Sequence, residues 1–251
     1  MPYTHNQRVR IHYRIEGEGP PLVLQHGFLQ SIEDWYECGY VDALKRDYRL
    51  VLVDARGHGS SDKPHDPEAY PLDNRVADVA VVLDALTIKK AHFWGYSMGG
   101  WIAFGMAKFA PERIDRLVIG GQHPYARSME GYRQLLRNVI THGAEAFVTA
   151  VEQMAGPPPP GWRARLHEGD LEAYLAMAQD RTSIETVLPE IEMPCCLYAG
   201  EADPVLAEVK SASKSISSVN FFSLPGLTHL QAFVRADLVL PRVSKFLHGA
   251  A

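Results

Sequence analysis

The amino-acid sequence predicts an α/β fold, in which helices cover both faces of a mostly parallel sheet. Short apolar runs of strand length alternate along the chain with segments whose apolar residues recur at helical spacing. Between residues 122 and 188 this alternation stops and no strand is indicated. We therefore expect a sheet-based core domain made of residues 1–121 and 189–251, interrupted by a helical cap of residues 122–188, here named the insertion.

The individual elements follow from the apolar spacing in chain order. Strands are predicted at 9–15, 21–25, 49–53, 91–94, 116–119, 195–200 and 220–224. Helices of the core domain are predicted at 34–46, 72–86, 101–107 and 231–247. Amphipathic helices of the insertion are predicted around 132–140, 144–154 and 171–178, with the proline run 157–160 as a helix-breaking loop. Ligands bind at the carboxyl ends of parallel strands, so the segments that follow the strands hold the candidate functional residues.

Composition and charge exclude several classes of partner. Hydrophobic residues make up 46% and charged residues 22% of the chain, as in ordinary soluble enzymes, and the formal net charge is -5. No basic block or membrane-length apolar run is present, so we expect neither a nucleic-acid nor a membrane partner. The first residues lack the pattern of a signal peptide, which predicts a cytoplasmic location. We expect a monomer or a small homo-oligomer.

The three cysteines, Cys38, Cys195 and Cys196, do not indicate a disulfide framework or a metal site. Their number is odd, two of them are adjacent in an apolar run, and no C-x-x-C spacing occurs. We expect reduced cysteines, no metal and no cofactor.

The segment Gly95-Tyr96-Ser97-Met98-Gly99 is the most informative motif of the chain. An apolar strand precedes this G-x-S-x-G pattern and a helix follows it. A serine on such a sharp strand-to-helix turn is held in a strained backbone conformation that exposes its hydroxyl above the sheet. Ser97 is therefore the candidate nucleophile.

A serine hydroxyl needs an adjacent base, and the base needs an orienting acid. In strand–elbow–helix enzymes these groups follow the serine in the order acid, then histidine. His229 stands in a loop between the last predicted strand and the last helix, so we predict that it is the base. The acid is predicted to be Asp203, which follows strand 195–200, with Glu201 as the competing candidate.

The tetrahedral intermediate of acyl transfer needs two backbone N–H donors. The amide of Met98, directly after the nucleophile, is predicted to be one of them. The loop after strand 21–25 begins with His26-Gly27-Phe28, and the amide of Phe28 is predicted to be the second. We interpret His26 as a residue that shapes this loop, with a role as a second base as the less favoured alternative.

With these motifs in place, the chain resembles the α/β-hydrolase superfamily nearly from end to end. The resemblance rests on His26-Gly27, on the segment from Asp54 to Ser61 (DARGHGSS), on the elbow, and on Asp203 and His229 at the expected positions. It implies the α/β-hydrolase fold with a helical cap, and a structural role for Asp54, Arg56 and His58 beside the elbow. The elbow is similar to those of small esterases, enol-lactonases, perhydrolases and C–C bond hydrolases. Ser97 argues against dehalogenases and epoxide hydrolases, whose nucleophile is an aspartate.

The resemblance and the motifs together predict a serine hydrolase that cleaves small to medium carboxylic esters through an acyl-enzyme. A lactonase or enol-lactonase, a C–C bond hydrolase with the same triad, and a small-molecule receptor that retains the triad remain as alternatives. The insertion is expected to lie over Ser97. Predicted substrate-binding residues are Phe28, Tyr96, Phe147, Met154 and Tyr174. Arg127 and Arg133 are weaker candidates for binding a substrate carboxylate, because surface arginines are commonly solvated.

Overall fold

One eight-stranded sheet forms the centre of the computed structural model, which describes residues 2–155 and 157–249 except the side chains of 146, 150 and 153–155. The strands, in chain order, are β1 (Tyr3–Asn6), β2 (Val9–Glu16), β3 (Pro21–Gln25), β4 (Arg49–Val53), β5 (Ala91–Tyr96), β6 (Ile114–Gly120), β7 (Cys195–Gly200) and β8 (Val219–Leu224). Their spatial order is β1-β2-β4-β3-β5-β6-β7-β8. The pairs β1–β2 and β2–β4 are antiparallel and the other pairs are parallel, which confirms the predicted mostly parallel sheet.

Helices cover both faces of the sheet, as the fold class predicts. In chain order they are α1 (Ile32–Glu37), α2 (Tyr40–Leu44), α3 (Leu72–Ala85), α4 (Met98–Phe109), α5 (Glu130–His142), α6 (Glu145–Ala155), α7 (Trp162–Glu168), α8 (Leu171–Met177), α9 (Leu206–Ser213), α10 (Gln231–Val234) and α11 (Ala236–Leu247). Apolar residues of α3, α4 and α9 form one core layer, and those of α1, α2, α10 and α11 form the other. Successive strand residues alternate between the layers: Phe93 of β5 faces the first, whereas Trp94 and Tyr96 face the second.

Two predicted helices are each divided in the structure. The helix predicted at 34–46 is the pair α1 and α2, because Gly39 between them adopts a left-handed conformation (φ 81°) that a continuing helix does not allow. The helix predicted at 231–247 is the pair α10 and α11, which meet at Arg235 with a non-helical ψ of 60°. Strand β1 was not predicted from the sequence. It is short and pairs only with β2 at one edge of the sheet.

The insertion contains four α-helices in its described part, α5 to α8, of which α7 was not predicted. Trp162 at the start of α7 is buried and its ring packs against Phe147 of α6, with centroids 6.0 Å apart. This contact between two helices explains why local spacing alone did not predict α7. Within the described residues, no helix is both long enough and apolar enough to cross a membrane.

Candidate active site

Ser97 lies on the turn between β5 and α4 with φ 52° and ψ −111°. A positive φ is unfavourable for a residue with a Cβ, and such strain persists only where the surroundings enforce it. Two hydrogen bonds do so here. The Ser97 amide donates to the carbonyl oxygen of Gly120 (2.8 Å), and the Gln122 side-chain amide donates to the carbonyl oxygen of Ser97 (3.0 Å).

The glycines of the motif are required by the close approach of backbone segments. A Cβ on Gly95 would overlap the carbonyl oxygen of Gly99, and a Cβ on Gly99 would overlap the carbonyl oxygen of Gln25 at the end of β3. The start of α4 therefore presses against the ends of β3 and β5, which turns the Ser97 hydroxyl outward.

The structure brings Ser97, His229 and Asp203 together in one hydrogen-bonded chain. Nε2 of His229 lies 2.9 Å from Oγ of Ser97, and Nδ1 of His229 lies 2.7 Å from Oδ2 of Asp203. A carboxylate only accepts hydrogen bonds, so Nδ1 carries the hydrogen and Nε2 presents its lone pair to the serine hydroxyl. In this tautomer a histidine can accept a proton from a serine hydroxyl.

Asp203 rather than Glu201 is the carboxylate that contacts His229. Asp203 is buried and its second oxygen, Oδ1, accepts the backbone N–H of Val205 (3.1 Å), which fixes the carboxylate plane. Glu201 is exposed and accepts the hydroxyl of Ser223 (2.9 Å). The side chain of His229 is 31% exposed, so a ligand can approach the histidine from solvent while the acid behind it stays covered.

Tyr96 does not form a pocket wall, contrary to the prediction. The residue is only 2% exposed because strand alternation directs its side chain into the same core layer as Trp94, against Tyr198 and Phe233. Burial raises the pKa of the Tyr96 phenol well above its ordinary value, so the hydroxyl remains a donor. It donates to the backbone carbonyl oxygen of His229.

The loop after β3 approaches the nucleophile closely. A Cβ on Gly27 would lie 3.4 Å from Cβ of Ser97. The Gly27 amide donates to Oε1 of Gln30 (2.9 Å). The next amide, that of Phe28, donates to no acceptor in the described part of the chain. The Met98 amide is in the first turn of α4, where helical amides lack an intrahelical acceptor. Neither amide therefore has an acceptor within the described part of the chain, which leaves both free to bind an oxygen atom.

Buried histidines hold the loops around this site. Nε2 of His26 accepts the Ala55 amide (3.1 Å) and its Nδ1 lies 2.8 Å from the Gly27 carbonyl oxygen, so Nδ1 carries the hydrogen. Nε2 of His58 accepts the Leu29 amide (3.2 Å). Burial lowers the pKa of His26, and lowers that of His58 well below the ordinary range, so both stay neutral. Both ring nitrogens of His26 thus bond to the backbone of these loops and not to the serine.

Asp54 and Arg56 also support loops, as the resemblance implied. Asp54 accepts the amides of Ile32 and Ser60, both at 3.0 Å. Burial alone would raise the pKa of Asp54, but hydrogen bonds, first that from His12, outweigh it and lower the pKa. Arg56 forms a buried ion pair with Asp78, with Nε and Oδ2 2.6 Å apart.

The predicted apolar pocket residues separate into two groups. Phe28 and Tyr174 lie together, with ring centroids 5.8 Å apart and edge-to-face geometry, and Tyr132 packs on Phe28 at 5.7 Å. Phe147 instead packs against Trp162 inside the insertion. The side chain of Met154 lies outside the described part of the chain.

Of the two predicted arginines, Arg133 pairs with carboxylates, whereas no described carboxylate pairs with Arg127. Arg133 pairs with Glu130 (2.8 Å) and Asp180 (2.9 Å), whereas the Arg127 guanidinium lies over the ring of Tyr132 at 5.8 Å.

Sequence reasoning missed Gln122, whose side-chain amide donates a hydrogen bond to the Ser97 carbonyl oxygen. Its position just after β6 is the signal that could have found it, since it lies at the carboxyl end of a parallel strand. In the described part of the chain, no cluster of three or more histidine, cysteine or acidic side chains could hold a metal ion.

Comparison with known proteins agrees with the fold. A family model described as the alpha/beta hydrolase fold matches residues 20–148, more than half of the chain. A putative 2-succinyl-6-hydroxy-2,4-cyclohexadiene-1-carboxylate synthase of Bacillus subtilis (strain 168) is 27% identical over 94% of this chain and 95% of its own. The 3-oxoadipate enol-lactonase 1 of Acinetobacter baylyi is 28% identical over 80% of this chain and 79% of its own. Among solved structures, the enol-lactonase from Burkholderia xenovorans LB400 has a TM-score of 0.86 and 26% identity, and the match covers 98% of this chain and 100% of that one. The protein is therefore a member of the α/β-hydrolase family.

Proposed function

We propose that this protein is a serine hydrolase that cleaves carboxylic esters of small to medium size through an acyl-enzyme. The observation that carries the proposal is the continuous chain from Asp203 through His229 to Ser97, with contacts of 2.7 and 2.9 Å. These are hydrogen-bond distances for a nucleophile, its base and an orienting acid.

In the proposed reaction, Oγ of Ser97 attacks the ester carbonyl carbon while Nε2 of His229 takes the hydroxyl proton. The negative charge that develops on the carbonyl oxygen is stabilised by the amides of Phe28 and Met98. When the C–O bond of the ester breaks, His229 gives its proton to the departing alkoxide. A water molecule then attacks the acyl-serine, His229 takes its proton and returns it to Ser97, and a carboxylic acid leaves.

We also propose that residues 122–188 act as a cap that bounds the substrate pocket of the core domain, residues 1–121 and 189–251. Support comes from contacts between the insertion and the loop beside Ser97, where Tyr132 and Tyr174 pack on Phe28. A small-molecule ester is the partner that a site with aromatic side chains beside the serine would take.

Lactone hydrolysis is the second candidate, because two similar proteins named above are enol-lactonases with at least 26% identity. The chemistry is the same, except that the alkoxide leaving group stays attached to the acyl chain.

Both candidates are tested with a panel of alkyl esters of increasing acyl length. Lactones whose rings contain acyl chains of the same lengths are assayed beside them. We expect turnover of at least one class, and loss of at least about a thousandfold in kcat in Ser97→Ala. A Ser97→Ala protein that keeps its hydrolytic rate would contradict the proposal. The ratio of ester to lactone kcat/KM decides between the two candidates.

A further inference from the structure

The carbonyl oxygen of Ser97 accepts one hydrogen bond more than the helix requires. The Trp101 amide donates to it (3.0 Å), which is the ordinary first bond of α4. The side-chain amide of Gln122, just after β6, donates to the same oxygen from Nε2 (3.0 Å). A carbonyl oxygen has two lone pairs, so these two donors occupy both. The bond from Gln122 therefore has a purpose other than helix formation.

Gln122 is held in one orientation. Its Oε1 accepts the backbone amide of the next residue, His123 (3.0 Å), which directs Nε2 toward Ser97. The residue is only 1% exposed. A Cβ on Gly100, in the first turn of α4, would lie 2.7 Å from Cβ of Gln122, so the glycine leaves the space that the Gln122 side chain occupies. The glycine that follows the G-x-S-x-G motif thus belongs to the same arrangement as Gln122.

The Ser97 carbonyl belongs to the same peptide group as the amide of Met98. A trans peptide group is planar, and its C=O and N–H point in opposite directions. A donor that holds the oxygen of Ser97 therefore also fixes the direction of the Met98 N–H. This restraint matters because Ser97 has a strained backbone, with φ 52° and ψ −111°, and a strained residue relaxes unless its surroundings hold it.

The same hydrogen bond strengthens the Met98 N–H as a donor. A bond to the carbonyl oxygen polarises the peptide group, and the gain is roughly 10–30% for each bond in such a chain. Gln122 and Met98 are each only 1% exposed, so water competes little with these bonds. Gln122 thus acts on both the direction and the strength of the Met98 amide.

We propose that Gln122 is a positioning residue for the oxyanion hole, which acts on the developing negative charge through the Ser97–Met98 peptide group. This inference rests on the proposed serine hydrolase function. Removal of a whole oxyanion donor lowers kcat by roughly 10²–10³-fold. The Met98 N–H remains when Gln122 is replaced, so the loss should be smaller, about five- to tenfold, as for one neutral hydrogen bond. It should appear in kcat rather than in KM, because the charge on the oxygen develops only in the transition state.

The experiment compares two Gln122 variants with a matched variant of Gln25. Gln122→Met keeps the length of the side chain without the amide, and Gln122→Asn keeps an amide that is one methylene too short to bond both Ser97 and His123. Gln25 is equally buried at the end of β3, but its amide donates to the Val53 carbonyl oxygen (3.2 Å). With the fastest ester of the panel, we expect both Gln122 variants to lose kcat about five- to tenfold at a KM within about twofold of the wild type. Gln25→Met should keep kcat within about twofold, and thermal melts check that all three variants are folded.

A trifluoromethyl ketone with the same acyl chain measures the oxyanion site without turnover. Its carbonyl carbon bonds to Oγ of Ser97, the hydroxyl proton goes to His229, and the carbonyl oxygen becomes the oxyanion. Its inhibition constant should rise in each Gln122 variant by the factor by which kcat/KM falls. The acid limb of the pH–rate profile should not move, because Asp203 and His229 are unchanged.

The proposal is overturned if folded Gln122 variants keep the wild-type kcat, if only KM rises, if Gln25→Met loses kcat equally, or if the inhibition constant stays unchanged while kcat falls. A shift of the acid limb would place the effect of Gln122 on His229 and would equally overturn it. Failure of the proposed function is a different result, namely hydrolysis that persists in Ser97→Ala.

Discussion

The hydroxyl of Tyr96 donates a hydrogen bond to the backbone carbonyl oxygen of His229, a residue 133 positions further along the chain. Tyr96 directly precedes Ser97, so this bond ties the loop of the candidate base to the strand that carries the candidate nucleophile. Gly121 adopts a positive φ of 59° beside this contact, and a Cβ there would lie 3.0 Å from both the His229 ring and the Tyr96 hydroxyl. Tyr96 and Gly121 therefore fix the position of His229.

Tyr96→Phe is predicted to lower kcat by about three- to tenfold with little change in KM, because one neutral hydrogen bond that positions His229 is lost. Tyr198→Phe is the matched control. Tyr198 is equally buried on the same face of the sheet, but its hydroxyl accepts from Trp94 (3.2 Å) and does not contact the triad. Steady-state kinetics and thermal melts of both variants make the comparison. If both variants lost kcat to the same extent, the hydrogen bond from Tyr96 to His229 would contribute only to the stability of the fold.

Asp203→Asn is predicted to reduce turnover by roughly 10⁴-fold while the fold is preserved. An amide can donate to Nδ1 of His229 and stabilise the tautomer that leaves no lone pair toward Ser97. Glu201→Gln removes the same charge from the same loop but touches Ser223 rather than His229, so it should stay within about twofold of the wild type. If Glu201→Gln were the more damaging change at equal melting temperature, the acid would have to be reassigned.

Arg165→Ala is predicted to destabilise the protein by about 3 kcal/mol, because it leaves a buried carboxylate without its cation. Arg165 of the insertion lies 3.0 Å from fully buried Asp34 and 2.6 Å from Glu37, both in α1 of the core. Arg163 is on the same helix but pairs with Glu152 at the surface, so Arg163→Ala should cost less than about 1 kcal/mol. Urea unfolding of both variants measures the difference, and similar losses would argue against the ion pair as a link between insertion and core.

Stability is predicted to fall on acidification below about pH 6.5, where unfolded histidines take up protons. Burial lowers the pKa of His26 and of His58 in the folded state, so both remain neutral there while the unfolded chain binds protons. The stabilisation is complete above the unfolded pKa and is lost as the pH falls toward the folded values.

We expect His58→Gln to reduce the difference in melting temperature between about pH 7.5 and about pH 5.5, since glutamine still accepts the Leu29 amide without titrating. His142→Gln, at an exposed position on α5, should leave the wild-type pH dependence unchanged. If the melting temperatures of the wild type and of His58→Gln depended on pH in the same way, protonation of His58 would not contribute to the loss of stability in acid.

The local motifs were predictable because their physical requirements lie in adjacent residues. The turn at Ser97 needs Gly95 and Gly99 at fixed spacing, and the order of Asp203 and His229 along the chain follows from the strands that carry them. The parallel sheet was predictable from apolar runs for the same reason.

Features that depend on distant contacts were not predictable in this way. The hydrogen bond of Tyr96 needs the carbonyl oxygen of His229, which is 133 residues away in the chain. The burial of Tyr96 could have been predicted, because strand alternation places its side chain on the same face of the sheet as that of Trp94. The contact of the Arg181 guanidinium with the ring of Trp101 is likewise visible only in the folded chain.

Covalent labelling with a fluorophosphonate, followed by intact-mass and peptide mass spectrometry, tests the central claim most directly. We predict one adduct per chain, located on Ser97, with labelling abolished in Ser97→Ala and strongly slowed in His229→Ala, because the histidine activates the hydroxyl. An adduct on another serine, or undiminished labelling and ester hydrolysis in Ser97→Ala, would contradict the account.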